Sequence, residues 1–261
     1  MSAPYLTRSR IERLGRHLSD RDWAVIQTLA RVRVATAGQL ERLHFTDVGR
    51  RQTRSVLASL VDRRLLARLP RRVGGVRGGS AGFILVLDVA GQRLTRSSGG
   101  RVQRPWPVGT PFLSHSLAVT ELLVELTEAA RASGGAVRLI DFVAEPGCWR
   151  PVAPGVVLKP DAEVVMQQGR YEDRWFIEVD RATESRTTLD RKLARFVADW
   201  RTGREQAATG VYPRVLWVVP DEARHAVLID AFARQPVEAW PLFAAVTAAD
   251  AVERITAGAG S

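Results

Sequence analysis

Leu158-Lys159-Pro160-Asp161-Ala162-Glu163 and, further on, Phe176-Ile177-Glu178-Val179-Asp180 are two short runs in which acids recur at alternate positions. Both read as strands. Side chains two apart share a face of a strand, so Asp161 and Glu163 lie together, as do Phe176, Glu178 and Asp180. Trp175, Ile177 and Val179 turn the other way, as a strand covered by helices requires. If the two strands are neighbours, several carboxylates converge on a small area. Such a cluster repels itself unless a cation, protons or Arg/Lys side chains compensate it.

Around these strands the spacing predicts a helix from Ser114 to about Arg131, a strand from Val137 to Glu145, and a helix over Thr187–Asp199 carrying Leu189, Leu193 and Phe196. The continuous apolar run from Arg214 to Pro220 reads as a buried strand. A helix from Asp221 to Arg234 and a short strand, Leu242 to Val246, follow. This order predicts an α/β sandwich with a mixed sheet. Glu121, Glu125 and Glu128 form an acidic ridge on the first of these helices, read as a solvated face. His17, His44, His115 and His225 show no metal-ligand spacing.

Before the sandwich, Ser19 and Asp22 mark a capping box for a helix with Trp23, Ile26, Leu29 and Ala30 on its buried side. Thr36 caps a second helix, Ala37 to Leu43, and Thr46-Asp47 opens a third that runs to about Arg64. On the third, Val56, Leu57, Leu60 and Val61 gather on one side, with Arg51, Arg54 and Ser55 opposite. A strand from Leu65 to Pro70, a Gly- and Arg-rich tip and a strand from Gly82 to Leu87 complete a hairpin. Three helices and a hairpin with a basic tip make the winged helix-turn-helix plan, whose third helix enters the major groove of double-stranded DNA. Arg50, Arg51 and Arg54 would sit nearest the groove, with Arg71, Arg72 and Arg77 on the wing. The alternatives are a solvated arginine face and a protein-interaction module, because fold alone does not settle use. Gly91 to Pro111 reads as a linker, giving a winged-helix domain over 1–108 and an α/β domain over 109–261.

The charge supports two parts with different partners. Net charge is +10 over 261 residues, yet residues 1–110 hold 21 Arg against 7 Asp/Glu, whereas 111–261 hold 17 Lys/Arg against 21 Asp/Glu. With 36 Arg and 2 Lys the chain has the composition of a GC-rich genome, but codon bias does not explain the scarcity of acids in the first half. Positive charge gathered on one part is the footprint expected of nucleic-acid binding. Cys148 is the single cysteine, which excludes an internal disulfide and argues against a thiolate zinc site. No apolar run approaches membrane-spanning length, and the expected setting is the cytoplasm, with no membrane partner.

A helix, three strands, a helix and a strand, with Pro160-Asp161 on the second strand and Glu178 on the third, resembles the PD-(D/E)xK nuclease fold. That resemblance implies Mg²⁺ ligands at Asp161 and Glu178, with a lysine two residues later helping to activate water. Here that position is Asp180, so the usual triad is broken. Lys192 on the following helix is the replacement the chain offers; Arg181 or Arg186 would neutralise acids but not act as a base. Asp161, Glu178, Asp180 and Lys192 are therefore the candidate catalytic set. The wording of Trp175-Phe176-Ile177-Glu178-Val179-Asp180-Arg181-Ala182-Thr183-Glu184 and of Arg191-Lys192-Leu193-Ala194-Arg195-Phe196 resembles the replication-relaxation family. The family implies a role in replicating or mobilising plasmids, phages or conjugative elements, and an Asp at the lysine position is usual in it. Three readings remain open: a metal-dependent nuclease, a regulator that binds DNA without cutting it, and an adaptor docking a relaxase or replication partner. In the bland alternative, Glu178, Asp180, Glu184, Arg181 and Lys192 are only an ion-pair network tying sheet to helix.

Overall fold

The computed structural model describes residues 7–69, 83–95 and 110–257. In chain order the elements are α1 (Arg8–Arg16), α2 (Asp20–Val32), β1 (Ala35–Thr36), α3 (Ala37–His44), α4 (Arg50–Asp62), β2 (Leu66–Leu69), β3 (Ile84–Leu87) and α5 (Val89–Thr95). There follow α6 (Thr110–Ala132), β4 (Val137–Ala144), β5 (Arg150–Ala153), β6 (Val156–Leu158), β7 (Ala162–Gln168) and β8 (Tyr171–Val179). The rest comprises α7 (Arg186–Arg201), α8 (Arg204–Thr209), β9 (Arg214–Val219), α9 (Glu222–Ala233), a 3-10 turn (Val237–Leu242), β10 (Phe243–Thr247) and α10 (Ala251–Thr256). The backbone packs into two compact units, Met1–Val124 and Glu125–Ser261. The boundary expected at 108/109 lies outside the described residues.

In the first unit the capping box at α2 forms as read: Ser19 Oγ accepts from the Asp22 N–H, and Asp22 accepts from the Ser19 N–H, both at 3.1 Å. Thr36 and Gln39 close a second box at α3. Two boundaries move. α4 begins at Arg50 behind Gly49 rather than at Thr46-Asp47. Residues 91–95, read as the start of a linker, instead complete α5. Val25, Ile26, Leu29, Leu40, Leu57, Leu60 and Leu66 form the core, while Ala30, assigned to the buried stripe, is exposed. β1, β3 and β2 make an antiparallel sheet in that order, with Leu66 opposite Leu87 and Leu69 opposite Ile84.

The second unit is built on a five-stranded mixed sheet, ordered β10-β9-β8-β7-β4. β4, β7 and β8 are antiparallel, and β8, β9 and β10 are parallel. The mixed α+β architecture expected from the element order is present. One face is covered by α7 and α9 through Leu189, Leu193, Phe196, Leu228 and Phe232, packed on Phe176 and Trp217. Edge and tilted ring contacts from Phe176 to Phe196, Trp217 and Phe243 run across this core at 5.7 to 6.0 Å. Trp175 turns to the opposite face, where the Arg214 and Arg254 guanidiniums stand over its ring at 5.7 and 5.5 Å.

Candidate functional site

β7 and β8 are neighbours in the register that the alternation of acids requires. Ala162 pairs with Ile177 and Glu163 with Phe176, so Asp161 and Glu178 stand across from each other at the end of the ladder. The Asp161 N–H donates to the Ile177 carbonyl at 3.0 Å, and Asp161 Oδ2 accepts from the Val179 N–H at 2.7 Å. Asp161, Glu178 and Asp180 are all buried.

Each carboxylate has its own compensation. Lys192 Nζ donates to Glu178 Oε2 at 2.9 Å and lies 2.8 Å from Glu184 Oε1. The Asp180 side chain is held elsewhere: Arg224 Nε and Nη2 both donate to its Oδ2, at 2.9 and 2.7 Å, and the Ala182 N–H donates to its Oδ1 at 2.6 Å. Glu163 is drawn to Arg150, whose Nη2 donates to both carboxylate oxygens at 3.0 and 2.9 Å. The same guanidinium reaches Glu205 at 2.6 Å and lies 4.7 Å above the Phe176 ring. What remains together is Asp161, Glu178 and Lys192, with Glu184 outside the lysine.

The sequence places Lys192 there by simple means. Ser185 accepts from the Thr188 N–H and starts α7. Leu189, Leu193 and Phe196 then press the helix onto the sheet, which leaves Lys192 on its flank above the ends of β7 and β8. Burial, and next the Asp161 charge, push Glu178 well above the ordinary carboxylate range, against the pull of Lys192. Burial alone would lower the Lys192 ammonium. The Glu178 charge and hydrogen bonds to Glu184 and Glu178 outweigh it and hold the group above its ordinary value. Lys192 Nζ thus stands between Glu178 and Glu184 as the ion-pair partner of both acids.

Sequence reasoning missed Arg224 and Arg150. Arg224 comes from α9, more than forty residues after its partner, and only the β9 crossover brings it beside Asp180. Arg181 and Arg186, considered as neutralisers, are exposed and do not take that part. Among the described residues no three His, Cys, Asp or Glu side chains form a group that could hold a metal.

In the first unit Arg50, Arg51 and Arg54 are exposed along α4, opposite the buried Leu57 and Leu60. Arg50 Nε lies 3.4 Å from Glu41. Arg71, Arg72 and Arg77 lie outside the described residues. Among those described, no helix is long and apolar enough to cross a membrane.

No curated protein and no solved structure gives a significant match to the chain. A family profile does: the replication-relaxation model matches residues 26–215, a span that takes in the core of the first unit, the paired acidic strands and Lys192. The chain is a member of the replication-relaxation family.

Proposed function

We propose that this protein binds double-stranded DNA of a plasmid, phage or conjugative element and acts in its replication or mobilisation. Family membership suggests that role. The first unit is read as a winged helix, with α4 as the helix that enters the major groove. Three helices, a β2–β3 pair and an exposed arginine row on α4 support that reading.

The second unit is read as a nuclease-like fold of the PD-(D/E)xK kind. The observation that carries this is Lys192 Nζ resting 2.9 Å from Glu178 Oε2, beside Asp161. An acid pair and a lysine are assembled from two strands and the following helix, although the usual lysine position is Asp180. With Lys192 paired to Glu178 and Glu184, and Asp180 tied to Arg224, the cluster is compensated from within. We therefore read this unit first as a docking or DNA-holding fold that does not cut.

The second reading is a Mg²⁺-dependent nuclease, favoured by Asp161 and Glu178 standing directly opposite each other. Mg²⁺ keeps several waters and needs only one or two protein carboxylates, so these two residues fit it. Lys192 already donates to Glu178 Oε2 at 2.9 Å, so an ion held by Asp161 and Glu178 would compete with it. When bound, the metal would supply a lowered water pKa and charge stabilisation at phosphorus.

Fluorescence anisotropy with a labelled duplex tests the first reading. Arg50→Ala/Arg51→Ala/Arg54→Ala should reduce the slope of log K against log salt by about 2.7, at roughly 0.9 per phosphate contact. An unchanged slope would remove α4 from the interface. A Mg²⁺ or Mn²⁺ titration followed by thermal shift separates the readings of the second unit. The nuclease reading requires a metal-induced rise in Tm that is lost in Asp161→Ala and enlarged in Lys192→Met, together with nicking of supercoiled plasmid. No metal response in any variant leaves the non-cutting form.

A further inference from the structure

The side chains of four arginines of the second unit make no hydrogen bond or ion pair with a described residue: Arg181, Arg186, Arg191 and Arg195, and all are exposed. Every other arginine of the unit is engaged with an acid, a carbonyl, an amide or a ring. The unengaged ones fall within residues 181–195, in the loop after Asp180 and on α7. Arg191 and Arg195 are one helical turn apart on the exposed side of α7. A unit with more acids than bases thus keeps bare guanidiniums side by side on one helix. Like charges at that spacing cost helix stability; a bound polyanion would offset that cost.

A second observation lies on the β5–β6 hairpin, which packs against α7. Trp149, 37 % exposed, leads into β5. The Lys159 ammonium stands 4.6 Å from the centroid of its ring, and Lys159 is two residues before Asp161. The Trp149 backbone is anchored from both sides: Cys148 Sγ donates to the Pro160 carbonyl at 3.0 Å, and Arg150 holds Glu163 and Glu205. An aromatic ring on an anchored stretch of backbone, partly open to solvent and flanked by a cation, has the chemistry of a base-stacking platform.

We propose that the second unit carries its own binding track for single-stranded DNA, with Arg191 and Arg195 on the phosphates and Trp149 stacking an unpaired base. The inference rests on the reading of this unit as a DNA-facing fold and names the form of DNA it takes. Neither residue set belongs to the duplex contact assigned to α4. Unpaired bases present a π face to any aromatic ring, whereas a duplex hides it, so the pairing of Trp149 with bare arginines selects the single strand.

The test is anisotropy of the full chain with a labelled oligothymidylate longer than the roughly 4–16 nucleotides that such sites span. Arg191→Ala/Arg195→Ala should weaken binding and lower the salt slope by about 1.4, at roughly 0.7 per single-strand phosphate. Trp149→Ala should cost roughly 5- to 150-fold at fixed salt without changing the slope, and Trp149→Phe should recover most of it. The α4 triple variant should leave oligothymidylate binding intact while weakening the duplex. Unaltered Tm in the exposed arginine variants shows that folding is not the cause. An unchanged slope in the α7 variant, or loss of single-strand binding in the α4 variant alone, overturns the proposal. Equal losses for duplex and oligothymidylate in the Trp149 and α7 variants overturn its choice of strand. If duplex binding is insensitive to α4 but the oligothymidylate results hold, the first-unit reading fails and this one stands.

Discussion

Asp180 occupies the position where the PD-(D/E)xK resemblance would place a lysine, and the structure shows what it does instead. Its carboxylate is buried and receives two hydrogen bonds from Arg224, itself only 10 % exposed in the side chain. Removing one partner of a buried pair strands the other charge, at about 3–5 kcal/mol. Asp180→Ala should therefore lower the urea-extrapolated stability by that order, and Asp180→Asn by clearly less, because an amide oxygen still accepts. Equal losses would mean that the charge is not what matters. A second buried acid gives a pH dependence. Burial pushes Asp199 above the ordinary carboxylate range, against the hydrogen bond it receives from the Tyr212 hydroxyl at 3.1 Å. A carboxyl raised in the folded state contributes stability that is complete below the unfolded value and lost as pH rises through the folded one. Asp199→Asn should thus have a higher Tm than the wild type at neutral pH and an equal one at about pH 3, below the unfolded value, and a gain independent of pH would refute the assignment. At this scale the sequence was legible where residues are near neighbours. The meeting of Asp161 and Glu178 follows from alternation on adjacent strands. Lys192 follows from its place beside Leu193 on an amphipathic helix. Arg224 was not legible, because nothing local in α9 marks a partner brought to it by tertiary packing.

Among the elements, the hairpin of β5 and β6 and the helix α5 were the parts hidden from sequence reading, each for a physical reason. Arg150-Pro151-Val152-Ala153-Pro154-Gly155 carries two prolines and a glycine, a composition common in turns, and no element was expected there. The hairpin is short and edge-like, and it is held by side chains from afar: Arg204 Nη2 donates to the Pro151 and Val152 carbonyls at 2.8 and 3.0 Å. Gly91 was read as the opening of a linker, since glycine is more common there than inside helices. In the fold it sits within α5 because nothing larger fits. A Cβ at this position would meet the Leu65 carbonyl oxygen at 2.2 Å and Leu87 Cδ2 at 3.1 Å. The first contact is with backbone, which cannot rotate away, so α5 would have to lift off β2. Gly91→Ala should destabilise the first unit by about 1–3 kcal/mol, the usual cost of overpacking. Thermal denaturation measures it, and a neutral result would show that α5 can shift freely. The strands of the mixed sheet, by contrast, were each readable, although their order was not. β8 and β9 are apolar across both faces where helices cover them, and β4 alternates as an edge strand does.

For the molecule as a whole, charge is the property that the sequence displayed most plainly and that the structure refines. Of the 7 acids in residues 1–110, Asp22, Glu41, Asp47 and Asp88 each lie against an arginine of the same unit. The excess of positive charge is therefore carried by arginines that these acids do not reach, Arg51 and Arg54 of α4 among them. The second unit consumes its arginines internally, apart from the group beside Lys192. Duplex DNA at low salt should accordingly slow amide hydrogen exchange in α3 and α4 and leave β7 and β8 unchanged. The protection should be strongly salt-dependent. A fourfold rise in salt weakens binding about 3.5-fold per phosphate contact, so three arginines on α4 give a loss of about 40-fold. Protection that persists through such a rise would indicate apolar or base-specific contacts in place of the phosphate grip. Protection centred on β7, β8 and α7 would assign the duplex to the acidic unit, and the charge asymmetry would then reflect only how the two units remain soluble.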